Sequence, residues 1–122
     1  MIRHLVMWRV QGETADQRLA SSLRVKQEFE SLRDVVDGLL HIEVGIDRSR
    51  VDYACDVALV ADFASAQALA AYATHPAHMR VRERLGDLRT ARFQVDYEVG
   101  DAACAADAAH EIHASEPDDV RA

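Results

Sequence analysis

Tyr72-Ala-Thr-His-Pro-Ala-His78 brings one phenol and two imidazoles together around a proline. Histidine titrates near neutral pH, and a phenol holds an oxyanion by donating a hydrogen bond to it. A histidine base beside a tyrosine donor suits proton abstraction next to a carbonyl, because the enolate charge forms on the oxygen. Pro76 matters to this chemistry. A helix broken there can aim inward side chains that a continuous helix would spread around its surface. A further imidazole, His4, interrupts an apolar strand face formed by Ile2, Val6 and Trp8.

Each of these residues also has a structural reading. A histidine in a strand, such as His4, is more often simply hydrogen-bonded in place. His75, just before Pro76, reads as the residue that opens a helix, with its ring bonded to nearby backbone. Tyr72 reads equally as core. His75 and His78 are three apart and with His4 form a conceivable metal set, yet no carboxylate or cysteine stands at ligand spacing nearby. Neither a metal nor a cofactor is therefore expected. Nothing around Cys55 makes it reactive, and Asp56 reads as a partner for backbone or for an arginine.

The elements that must position these residues follow from periodicity. Ile2 to Val10 alternates as a strand, with Leu5 and Met7 on the face opposite His4. Gly12 breaks it, and Thr14 with Gln17 forms a capping box. Leu19, Leu23, Val25, Phe29, Leu32 and Val36 then make one helix stripe, ended by Gly38. A second strand is expected over Leu40 to Ile46, a polar turn over Asp47 to Asp52, and a third strand over Ala54 to Phe63. Ser65 is an N-cap for a short helix carrying Leu69 and Tyr72, stopping near Thr74. Pro76 opens another helix with Met79, Val81 and Leu85, and Ala91 to Val99 is a fourth strand. This order predicts an α+β fold, a ferredoxin-like four-stranded antiparallel sheet with helices on one face. Strands one and three are apolar on both faces. The uncovered face needs a partner, and a second copy of the chain is the simplest one, so a homodimer is expected.

A chain of 122 residues is one domain by size. Its net charge of −7 is unevenly placed: residues 1–99 hold 13 basic and 15 acidic side chains, and the remainder sets Arg121 against six carboxylates. The domain expected over 1–99 is thus nearly neutral, with no basic stripe for nucleic acid. Residues 100–122 read as an acidic, alanine-rich, flexible tail. No apolar run approaches the roughly eighteen residues of a membrane span. The strand-like N-terminus has no cleavage site, so a cytoplasmic location is expected. Two cysteines suggest no disulfide framework.

Five segments occur in the order and spacing of a known family. They are Ile2-Arg-His4-Leu-Val, Leu40-His-Ile-Glu-Val-Gly45, Tyr53 with Asp56-Val-Ala-Leu-Val-Ala-Asp-Phe63, Tyr72 to His78, and Val95-Asp-Tyr97. Over roughly residues 1–99 the chain resembles the stress-responsive A/B barrel (Dabb) family. The resemblance implies a dimeric α/β barrel. Many members have no assigned activity, and some plant ones are stress-associated. The family's plant polyketide cyclase closes a linear polyketide thioester by aldol condensation without a cofactor. Its catalytic tyrosine and histidine match Tyr72 and His78, and its N-terminal pocket histidine matches His4. Where it has another pocket histidine, this chain has Cys55. The resemblance therefore implies a cofactor-independent enzyme, a polyketide cyclase or aldol-type lyase, acting on a β-carbonyl small molecule. His78 would be the general base and Tyr72 the oxyanion donor, with His4, His75, Cys55 and Trp8 around the substrate. Two alternatives stand beside it: a non-catalytic, stress-associated or ligand-binding homodimer, and a cofactor-free monooxygenase of the antibiotic-biosynthesis type.

Overall fold

The computed structural model describes residues 1–100, so the tail expected over 100–122 lies, apart from Gly100, outside the described residues. Thr14 caps the first helix with both halves of the capping box present, and Ser65 caps the second by accepting from the Ala68 N–H. These caps and the apolar alternation between them set the order β1 (Ile2–Val10), α1 (Ala15–Glu30), β2 (Leu39–Ile46), β3 (Val57–Phe63), α2 (Ala66–Ala73), α3 (Pro76–Leu85) and β4 (Arg89–Glu98). The four strands form one antiparallel sheet ordered β2-β3-β1-β4. This is the ferredoxin-like arrangement.

One face of the sheet packs against the helices. Val6, Trp8, Ile42, Val44, Leu59 and Phe63 bury there against Val25 and Phe29 of α1, Tyr72 of α2 and Val81 of α3. Each such side chain contributes about 1.5–3 kcal/mol by leaving water. Gly38 sits where α2 crosses the chain: its φ is 83°, and a Cβ there would lie 2.6 Å from that of Ala68. Only glycine suits that approach.

Two boundaries and one core position differ from expectation. α1 ends at Glu30 rather than near Gly38, although Leu32 and Val36 are buried. Beyond Glu30 the chain continues in tight turns, with Leu32, Arg33, Val35 and Leu39 each donating to the carbonyl three residues back. Those turns keep the helical spacing of the stripe without the α-helix. β3 starts at Val57 because residues 51–54 close a turn; Asp56, just before the strand, still bonds Trp8 and Asp47 through its backbone while its carboxylate accepts from the Val10 N–H. In α3, Met79 is exposed and Ala77 takes the core position beside Val81 and Leu85.

Among the described residues no helix covers the opposite face of the sheet. Leu5 stands there between Val60 and Val95, and Met7 between Ala58 and Phe93. Phe93 and Val95 are more than half exposed, and Tyr97 is 42% exposed.

Candidate active site

The site lies between the helix side of β1 and β4 and the α2–α3 break. On β1, His4, Val6 and Trp8 point toward the helices, and they stand opposite Asp96, Gln94 and Arg92 of β4. Antiparallel partners share a face, so the alternation Arg92-Phe-Gln94-Val-Asp96-Tyr97 sends its polar members inward and its apolar members to the open face. The polar members form a continuous row. Arg92 Nη2 donates to Gln94 Oε1 at 2.5 Å, and Gln94 Nε2 donates to Asp96 Oδ2 at 3.0 Å. Asp96 Oδ1 pairs with Nδ1 of the buried His4 at 2.5 Å. A carboxylate only accepts, so His4 carries its proton on Nδ1 and its Nε2 is left for other partners.

Pro76 supplies the opposite wall. α2 stops at Thr74, and His75 caps α3 by accepting from the Ala77 N–H through Nδ1 at 3.0 Å. The break turns Tyr72 and His78 toward each other, ring centroids 4.3 Å apart. Tyr72 lies edge-on to His4 at 6.2 Å and against Phe63 at 4.9 Å. The half-buried His78 places Nδ1 3.2 Å from the Ala73 carbonyl, which can only accept, so Nε2 is the unprotonated, basic nitrogen.

These residues line one cavity of about 520 Å³, within the range that takes small organic ligands. Of the six residues singled out in the sequence, His4, Trp8, Tyr72 and His78 line it together. His75 and Cys55 do not. The His75 ring is spent on the α3 cap. Cys55, a half-buried free thiol, lies in a groove on the open side of the sheet beside Met7, Tyr53 and Phe93. Among the described residues no three His, Cys, Asp or Glu side chains gather as metal ligands.

Burial sets the protonation states. It pushes the Tyr72 phenol well above its ordinary value, only partly offset by Arg92 and Arg89, so the hydroxyl stays a donor. It also lowers His78; the Ala73 carbonyl opposes this and Arg82, Arg89 and Arg92 reinforce it, which keeps the imidazole neutral. Those three arginines line the cavity as well, and Arg89 lies over the faces of Trp8 and Phe29, 5.2 and 5.4 Å from their centroids. Neither the arginines nor Gln94 and Asp96 stand out in the sequence. The strict alternation of β4 is the one signal that groups Arg92, Gln94 and Asp96.

Residues 2–99 match the family model described as Stress responsive A/B Barrel Domain. Among solved structures, a dimeric protein of unknown function and ferredoxin-like fold from Bacteroides fragilis NCTC 9343 is 25% identical with a TM-score of 0.70, covering 80% of this chain and 95% of that one. A dimeric ferredoxin-like protein of unknown function from Jannaschia sp. CCS1 is 26% identical with a TM-score of 0.64, over 80% and 98%. A hydroxynitrile lyase from Passiflora edulis has a TM-score of 0.67 over 83% and 94% but only 11% identity, a likeness of fold. The comparison with curated proteins gives no match.

Proposed function

The chain belongs to the stress-responsive A/B barrel family, and from that premise we propose that it is a cofactor-independent enzyme of aldol type acting on a β-carbonyl compound. The observation that carries the reading is the Tyr72–His78 pair, 4.3 Å apart in one cavity, with a free basic nitrogen on one ring and a protonated phenol on the other. His78 Nε2 takes the proton from the carbon beside a carbonyl. The C–H electron pair moves into the forming C=C bond and onto the carbonyl oxygen, where the Tyr72 hydroxyl donates to the new charge. The enolate carbon then attacks a second carbonyl, and the proton on His78 returns to the resulting alkoxide. Run backwards, the same steps cleave the carbon–carbon bond. His4, oriented by Asp96, and Trp8 position the substrate.

The working unit in this reading is a homodimer. Leu5, Met7, Phe93, Val95 and Tyr97 form an apolar face that no helix among the described residues covers, and the two dimeric neighbours support covering it with a second copy. His78→Ala should abolish turnover of β-dicarbonyl substrates. Tyr72→Phe should lower kcat about 10²–10³-fold, as expected for one lost oxyanion donor. Both variants should keep the wild-type fold and dimer by circular dichroism and sedimentation. Turnover that survives His78→Ala rules out the proton chemistry. No turnover in the wild type across such substrates favours instead the ligand-binding dimer, for which the bond that ties His4 Nδ1 to Asp96 already speaks.

A further inference from the structure

The charges lining the cavity are lopsided. Arg82, Arg89 and Arg92 face a single carboxylate, Asp96, which is already occupied by His4 and Gln94. None of the three arginines belongs to an ion pair among the described residues. One of them has a local explanation, since Arg82 lies in the last turn of α3, where a cation offsets the helix dipole. Arg89 and Arg92 are on β4, away from any helix end, and Arg92 donates to the neutral Gln94 Oε1 rather than to a carboxylate. Arg89 is half-buried, and its neighbours Arg82 and Arg92 repel it. A guanidinium withdrawn from water without an anion is costly, and stacking over Trp8 and Phe29 offsets only part of that.

We propose that the cavity is built for an organic anion, a carboxylate or phosphate carried on an apolar body, with Arg89 and Arg92 as the residues that recognise it. The planar guanidinium forks fit a compact oxyanion, and Trp8, Phe29, Leu59 and Leu69 supply the apolar floor on which the remainder of the ligand lies. A cleft with one sign of charge and low-dielectric walls also concentrates such ligands. The proposal rests on taking this cavity as the substrate site, and it adds the substrate's charge.

The test is calorimetric titration of the full chain with three probes that share one apolar body: 2-naphthoate, 2-naphthyl phosphate and the neutral 2-naphthamide. At least one anion should bind about tenfold or more tightly than the amide, and which anion leads identifies the oxyanion. That preference should shrink as salt rises from about 0.05 to about 0.5 M. Arg89→Met, which keeps the stacking volume, and Arg92→Gln should each weaken the anion about tenfold or more, while the exposed Arg80→Met should not. Equal binding of amide and anions, or a preference that survives both cavity variants, overturns the inference. The amide comparison needs no variant, so a misfolded mutant leaves it intact. Repeating the titration on His78→Ala separates the two readings. Anion preference there, in a protein that never shows turnover, upholds the binding site and removes the enzyme. Turnover of neutral β-dicarbonyls without anion preference does the reverse.

Discussion

Replacing Asp96 with asparagine isolates the link between β4 and His4. The carboxylate accepts from His4 Nδ1 at 2.5 Å through one oxygen and from Gln94 Nε2 at 3.0 Å through the other, while Gln94 Oε1 accepts from Arg92. Every donor in the row is directed toward Asp96. Asparagine has one acceptor oxygen, so whichever way its amide turns, either His4 or Gln94 meets an N–H. Flipping Gln94 to accept from the new amide would turn its own NH₂ against the Arg92 guanidinium. One charge-assisted hydrogen bond is therefore lost, about 1.5–3 kcal/mol. His4 is buried, but the Asp96 side chain is 33% exposed, so water reaches part of the row and the lower end, about 1.5 kcal/mol, applies. For a domain of this size that is a fall of about 6–12 °C in Tm, measured at one protein concentration because a dimer's Tm depends on it. A double-mutant cycle with His4→Gln assigns the loss. A coupling of about 1 kcal/mol or more is expected, and additivity within about 0.5 kcal/mol would refute the pairing.

The remaining predictions concern His78 and the open face. Burial and the three arginines hold His78 below its ordinary 6.5, so the base form prevails at pH 7 and kcat/KM should fall only as pH drops through a midpoint below 6.5. Arg89→Met removes a repelling cation and should move that midpoint upward. An NMR titration of the ring that places the wild-type midpoint at or above 6.5 contradicts the electrostatic account. Val95→Asp, on the face that carries Leu5 and Phe93, would bury an unpaired charge in each copy of a dimer. Sedimentation should then show monomer at micromolar concentration, and a persistent dimer places the interface elsewhere.

Much of the fold is legible in the sequence because its punctuation is local. Thr14 with Gln17, Ser65 and Pro76 act on backbone groups within a few residues, and each starts a helix where expected. The end of α1 is not legible, since Leu32 and Val36 keep helical spacing through turns that reach three residues back and pass through a left-handed Asp34. Cys55 shows another limit. By alternation it shares parity with Val57 and Leu59 of the core, but it precedes the strand, in a segment where alternation has no force. His75 and His78 are three apart on the chain, yet one ring caps α3 and the other enters the cavity. Arg92, Gln94 and Asp96 are hidden for a different reason. Period-two alternation says which residues share a face, not which face is covered, and polar residues on a strand are ordinarily assigned to water.

The electrostatics of the cavity also narrow the reaction. Burial alone disfavours every charge, holding the Tyr72 phenol protonated and the His78 imidazole neutral alike. The arginines break that symmetry: they make a cation on His78 harder to form and an anion on the substrate easier to hold. The same shift that keeps His78 available as a base makes it a weaker one, since a lowered pKa means lower proton affinity. A weak base with strong oxyanion support removes a proton only from carbon that is already acidified. Carbon flanked by two carbonyls meets that requirement, because the enolate charge spreads over two oxygens, and the same cavity offers both the Tyr72 hydroxyl and guanidinium groups to receive it. A simple ketone or aldehyde, with one carbonyl, does not. In the proposed reading, the arginines and the depressed histidine together suit a β-carbonyl substrate better than a simple ketone.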